Sequence, residues 1–194
     1  DVVDWLNDAQ RQACIRGRLL REDEDSSLCE IPLDAGTHTY PLHASVYELI
    51  HLQITPASGK PRRVSLVTRE WLDGRMPDWR QFDEPACYAI QNETSIRIVG
   101  KITDGDMLNL ECYRLPPILS NDDDEPEIHA AHHEALIHWA LHRAFSVPDA
   151  EVFDPQRSQN SEQEFTRYFG LLPDSDLRRS TRDDFPQHNC AVLP

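Results

Sequence analysis

Closely spaced cysteines, clustered glycines, basic side chains and long apolar runs are all scarce in this sequence. Its five cysteines (Cys14, Cys29, Cys87, Cys112 and Cys190) are odd in number, widely spread and include no C-x-x-C pair. That argues against a disulfide framework or a zinc ribbon and fits free thiols in a reducing compartment. Seven glycines stand singly, so there is no G-x-x-x-x-G-K-[ST], no G-x-G-x-x-G and no G-x-S-x-G. Neither a phosphate-cradling loop nor a nucleophile elbow is expected. No apolar run approaches the roughly 18 residues that a membrane helix needs. The first residues, Asp1-Val2-Val3-Asp4-Trp5, lack the basic-then-apolar pattern of a secretory signal. Basic side chains number 19 against 34 acidic ones over 194 residues, a net charge of −15. With a pI near 4.9, a surface built to neutralise nucleic-acid phosphates is not expected. A wall that DNA passes without sticking remains compatible with that charge.

What the sequence does contain is an order of elements. Val2, Leu6, Ala9, Ala13 and Leu20 recur near 3.6-residue spacing and predict a helix over 2–21, ended by the run Glu22-Asp-Glu-Asp-Ser-Ser27. From 28 to about 118 short alternating segments predict strands at 28–33, 37–42, 46–54, 63–67, 87–91, 95–99 and from Leu108. Thr68 is a candidate cap for one or two helical turns to Arg75. This spacing predicts a small antiparallel sheet or barrel. Pro126, preceded by the acidic run 121–125, predicts the start of a long helix reaching Val147, with the acids at its positive end. Its apolar residues, Ile128, Leu136, Trp139, Leu141 and Phe145 among them, point in nearly every direction and call for cover from a second subunit. A third helix fits 155–169, with Gly170 as its stop. The expected fold is α+β: a helical bundle of N- and C-terminal helices with an inserted small antiparallel sheet or barrel. Residues 1–172 form one domain in this scheme, and 173–194 an extended tail.

Candidate chemistry is thin. Five histidines (His129, His132, His133, His138 and His142) fall on the long helix, and 129/133 and 138/142 have metal-compatible i, i+4 spacing. The two pairs lie on opposite faces, and His133 and His138 are five apart, not four as H-E-x-x-H requires. Asp104 and Asp106 read as a solvated turn rather than a catalytic pair. Trp71, Trp79 and Tyr88 near Arg75 and Arg80 could imitate a base-stacking platform, but acidic neighbours favour a loop packed on the sheet edge. No catalytic residue, cofactor or metal is expected. The tail alternates Arg178, Arg179 and Arg182 with aspartates and ends with Phe185, Val192 and Leu193. Such a segment can order on a partner, its arginines meeting carboxylates and its apolar residues a groove.

Several stretches taken in order resemble a known family. Asp4-Trp5-Leu6-Asn7-Asp8-Ala9-Gln10-Arg11, Ala35-Gly36-Thr37-His38-Thr39-Tyr40-Pro41-Leu42, then Trp79, Pro85 and Tyr88, and finally His132–Phe145 with Asp149 and Phe165, resemble the head-to-tail adaptor (connector) proteins of tailed bacteriophages. The resemblance implies a structural virion protein, made in the host cytoplasm and placed at the neck. Its copies would form a ring, usually of twelve, below the portal protein. C-terminal segments would reach the portal, the other side would dock tail or neck proteins, and DNA would pass without specific binding or any membrane. Two other readings are another neck or tail-completion subunit and, from a different class, a histidine-dependent metal hydrolase. An acidic DNA mimic is a third.

Overall fold

Alternation of buried and exposed positions turns most of the middle of the chain into sheet. The computed structural model describes residues 2–121, 123–148 and 151–174. These divide into two compact units, one of residues up to 21 with 113–173, the other centred on 22–112.

The second unit is built on strands β1 (Arg21–Glu22), β2 (Glu30–Leu33), β3 (Thr39–Pro41), β4 (Val46–Thr55), β5 (Arg62–Leu66), β6 (Tyr88–Gln91), β7 (Ser95–Val99) and β8 (Asp106–Arg114). Their order across the sheet is β1-β8-β4-β5-β6-β7-β3, with β2 also paired to β8. One face carries the larger core, including Leu33, Leu52, Ile54, Val64, Ile96, Ile98 and Leu108. The helices α1 (Val2–Gly17), α2 (Ser26–Cys29) and α3 (Arg69–Arg75) precede or interrupt these strands. A smaller cluster gathers Leu72 of α3 and Trp79 with Val67, Ile90 and Val99. Thr68 caps α3 by accepting from the Trp71 N–H at 3.1 Å.

The first unit packs α1 with α4 (His133–Ser146) and α5 (Pro155–Phe169). Ala9, Ala13, Cys14, Ile128, Ala135, Leu136, Phe165 and Phe169 fill its core. The small residues on α1 allow close approach, while Phe165, fully buried, supplies the bulk. Asp154 caps α5 by accepting from the Gln156 and Arg157 N–H groups, Pro155 sits in its first turn, and Gly170 (φ 91°) ends it.

The structure corrects the expected fold. It is not a helical bundle with a small inserted sheet, but a mixed α+β fold with an eight-stranded sheet curled into a half-barrel and, among the described residues, five α-helices. Nor is the sheet wholly antiparallel: β5 and β6 are parallel, with Ser65 opposite Tyr88 and Leu66 opposite Ala89. The physical cause is the connection from 67 to 87. It holds α3 and a 3-10 turn at Trp79–Gln81, so the chain crosses over and re-enters the sheet in the same direction.

Helix boundaries also differ. The first helix stops at Gly17, because Arg18 takes a left-handed conformation (φ 50°) and Leu19 and Leu20 turn back onto the core. The long helix does not begin at Pro126. Glu127 is drawn away by a two-pronged pair with the Arg114 guanidinium, and His129 Nδ1 accepts from the Ala131 N–H to cap a 3-10 turn at Ala130–His132. Asp124 accepts from the Ser120 and Asn121 N–H groups, so it closes a local turn instead of facing a helix dipole. Those bonds lower its carboxyl below the usual range.

Candidate functional site

The segment Leu6-Asn7-Asp8-Ala9-Gln10 organises the helical unit, because Asn7, Asp8 and Gln10 each find a distant partner. Asn7 makes a reciprocal pair with the Leu119 backbone: its amide donates to the carbonyl at 2.9 Å and its oxygen accepts from the N–H at 2.8 Å. Gln10, buried, donates to Asn7 Oδ1 at 3.0 Å and to the Pro117 carbonyl at 2.8 Å. Asp8 accepts from the Trp139 indole N–H at 2.8 Å and lies 3.7 Å from Arg143 Nε. Ala9 is wholly buried. Nearly two turns further, Arg16 lays its guanidinium over Trp139 (5.0 Å) and Phe165 (5.2 Å) and donates to Thr166 Oγ1 at 2.9 Å. Polar contacts and an aromatic stack thus lock α1, α4 and α5 together.

This scaffold holds several apolar side chains in solvent. Ile137 and Leu141, one turn apart on α4, are exposed. Val147, Val152 and Phe153 are exposed at the end where α4 passes to α5, and Tyr168, Leu171 and Leu172 at the opposite end of that hairpin. Tyr168 belongs to the far end because its hydroxyl donates to the Ala131 carbonyl at 3.2 Å beside His132. Apolar side chains gathered on one small unit mark a contact surface more readily than scattered ones do.

In the β unit the quoted stretch 35–42 is a built turn. The Tyr40 hydroxyl accepts from the Asp34 N–H at 2.9 Å and faces the Thr37 carbonyl at 2.9 Å, while Gly36 takes φ 81°. Burial pushes the Tyr40 hydroxyl above its ordinary pKa. Asp104 accepts from the Ala35 N–H at 2.6 Å. Asp106 is buried, accepts from the Thr103 N–H at 3.2 Å and lies 3.6 Å from an Arg62 nitrogen. That corrects the expected solvated turn for Asp106. Trp79 is 4 % exposed, so it cannot offer a face to a base.

A profile of the SU10 adaptor protein family matches residues 1–187. The chain belongs to that family, which is one of phage head-to-tail adaptors. Among curated proteins, none matches the chain.

Four of the adaptor's helical histidines have a local use. His129 caps the 3-10 turn, and His133 Nε2 lies 2.9 Å from the Ile128 carbonyl. His132 packs edge-on to Tyr168, while His142 rests on Trp139 with Nδ1 3.0 Å from Ser158 Oγ. Among the described residues, no three His, Cys, Asp or Glu side chains gather as metal ligands would. Burial pushes the Cys14 thiol up to about 12, with Glu127 adding to the effect, and raises Cys29 and Cys87 as well.

Of the residues expected to pack between subunits, Ile128 and Leu136 lie in the core of their own unit. Trp139 and Phe145 are half-buried, and Leu141 is exposed. Sequence reasoning missed Val152, Phe153, Leu171 and Leu172. Their signal was available: apolar residues next to helix ends, where an isolated chain has nothing to bury them. The tail residues Arg178, Arg179, Arg182, Phe185, Val192 and Leu193 lie outside the described residues, as does Asp149.

Proposed function

We propose that this adaptor is a subunit of a ring, of about twelve copies as the resemblance implies, set at the virion neck between the portal protein and tail proteins. The observation that carries the proposal is the family match over residues 1–187. Two features of the chain support it. Exposed Ile137 and Leu141 on α4, with the apolar residues at both hairpin ends, are a natural seat for neighbouring copies or neck proteins. The charge of −15 per chain suits a channel that DNA crosses without specific binding, since twelve copies would carry about −180.

The work of such a ring is mechanical and electrostatic. It extends the portal channel, offers a docking surface to the tail and repels phosphates during packaging and ejection. No residue acts as a catalyst in this scheme. The C-terminal segment, with Arg178, Arg179, Arg182, Phe185, Val192 and Leu193, docks on the portal. Ring formation is tested by electron microscopy and light scattering of the purified chain mixed with purified portal protein.

A further inference from the structure

Most of the chain's charge is acidic, but one concavity of the β unit runs the other way. A groove of about 580 Å³ is lined by His38, Arg80, Arg97 and Lys101 with Trp79 and Phe82, and among the described residues Asp83 is its one lining carboxylate. For a chain with 34 acidic and 19 basic side chains, that balance is inverted.

The groove is rigidly built. Trp79 donates its indole N–H to Asp73 Oδ1 at 2.7 Å, and the guanidiniums of Arg80 and Arg97 lie 4.3 and 5.3 Å from its ring centroid. Arg80 also donates to Asp73 at 3.0 Å, which leaves Arg97 and Lys101 as the cations free of that pair. Arg97 is half-buried, and among the described residues its Nε has no hydrogen-bond partner. Lys101 is exposed at the end of the strap where its N–H donates to the Glu84 carbonyl at 2.7 Å.

A turn of opposite charge exists in the same unit. Glu22 Oε1 accepts from the Glu24 and Asp25 N–H groups at 3.1 and 3.2 Å, and Asp25 Oδ1 accepts from the Ser27 N–H at 2.9 Å. Two of the four acids are spent on holding the turn, and Asp23 and Glu24 are presented outside it. A pre-formed turn loses less entropy on binding than a flexible acidic tail does.

We propose that the groove receives the Glu22–Asp25 turn of a second copy of this chain, with Arg97 and Lys101 facing the carboxylates of Asp23 and Glu24. Groove and turn occur once each per copy and are not the same surface, so the contact is heterologous and propagates from copy to copy, as a closed ring requires. A polyphosphate backbone is a poorer occupant. It would carry dense charge past Asp83 and against a chain of net charge −15. The inference rests on the assembly of copies proposed above and adds the residues that set their order.

The test is copy number on purified portal protein, followed by sedimentation and electron microscopy of the full chain at a fixed ionic strength of about 0.15 M. Lys101→Glu, and separately Glu24→Lys, should each raise the concentration needed for half-assembly about tenfold. Joining the two changes in one chain should restore assembly, because the charges of that pair are exchanged rather than lost. Assembly unchanged by either variant, or a combined variant no better than the single ones, overturns the inference while leaving the ring intact. Failure of the unmodified chain to bind portal overturns the assembly proposal and this inference with it. Duplex DNA retained by the unmodified chain and lost on Lys101→Glu would show the wrong occupant and also overturn it.

Discussion

The indole N–H of Trp139 donates to the Asp8 carboxylate at 2.8 Å, joining positions 131 residues apart in the chain. The same ring receives the Arg16 guanidinium on its face, so α4 is gripped by α1 at two points. The residues that carry the family resemblance at the start of the chain are therefore the ones that fix the helical unit.

Trp139→Phe keeps most of the apolar contact and removes the donor. It should destabilise the chain by about 1–2 kcal/mol, the net worth of a hydrogen bond to a charged, partly exposed acceptor. Asp8→Ala on top of it should cost little more, and denaturant unfolding of the single and double variants gives the coupling. Fully additive losses would show that the two side chains act independently.

Some of this architecture was legible in the sequence and some was not. Thr68, Pro155 and Gly170 announce helix ends through their own side-chain or backbone chemistry, and the structure uses them in that way. The strand at Asp106–Arg114 shows in the alternation of Leu108, Leu110 and Cys112. The start of α4 was misplaced because a local rule, Pro126 after acids, lost to a distant one, the Arg114–Glu127 pair. The parallel β5–β6 pairing had a signal that outweighed the antiparallel habit: a twenty-odd-residue connection holding a helix. The core role of Ile128 and Leu136 was hidden because periodicity separates apolar from polar faces. It does not say whether an apolar face meets the same chain or another.

Gly100 is held at φ 117°, and a Cβ there would lie 2.6 Å from Ala86 Cα and 2.8 Å from the Glu84 carbonyl oxygen. Both obstacles are backbone and cannot swing aside. Gly100→Ala should therefore cost about 3 kcal/mol or more, through strain and overpacking together. Gly36→Ala, where nothing lies within 4 Å of the added carbon, should cost less despite its positive φ. Thermal unfolding of the two variants side by side separates steric closeness from backbone conformation.

Burial holds the Cys14 thiol protonated up to about pH 12, whereas in the unfolded chain it ionises from about 9. Below pH 9 both states keep the proton and the group contributes no pH dependence. Between 9 and 12 the unfolded state alone loses it, so stability falls as pH rises, by up to about 1.4 kcal/mol per unit for a single group. Cys14→Ala should flatten that part of the slope in denaturant titrations at pH 8.5 to 10.5. A slope unchanged by the substitution would place its origin elsewhere.

Deleting residues 173–194 removes Arg178, Arg179, Arg182, Phe185, Val192 and Leu193 together. The truncated chain should keep the thermal transition of the full one and bind portal protein at least about tenfold more weakly. Undiminished binding would remove the docking role from this segment.

Assembly at the portal can be seen by electron microscopy of the purified chain with purified portal protein at moderate salt. A ring of adaptor copies coaxial with the portal is expected. A chain that stays monomeric and leaves the portal bare would overturn the assembly proposal.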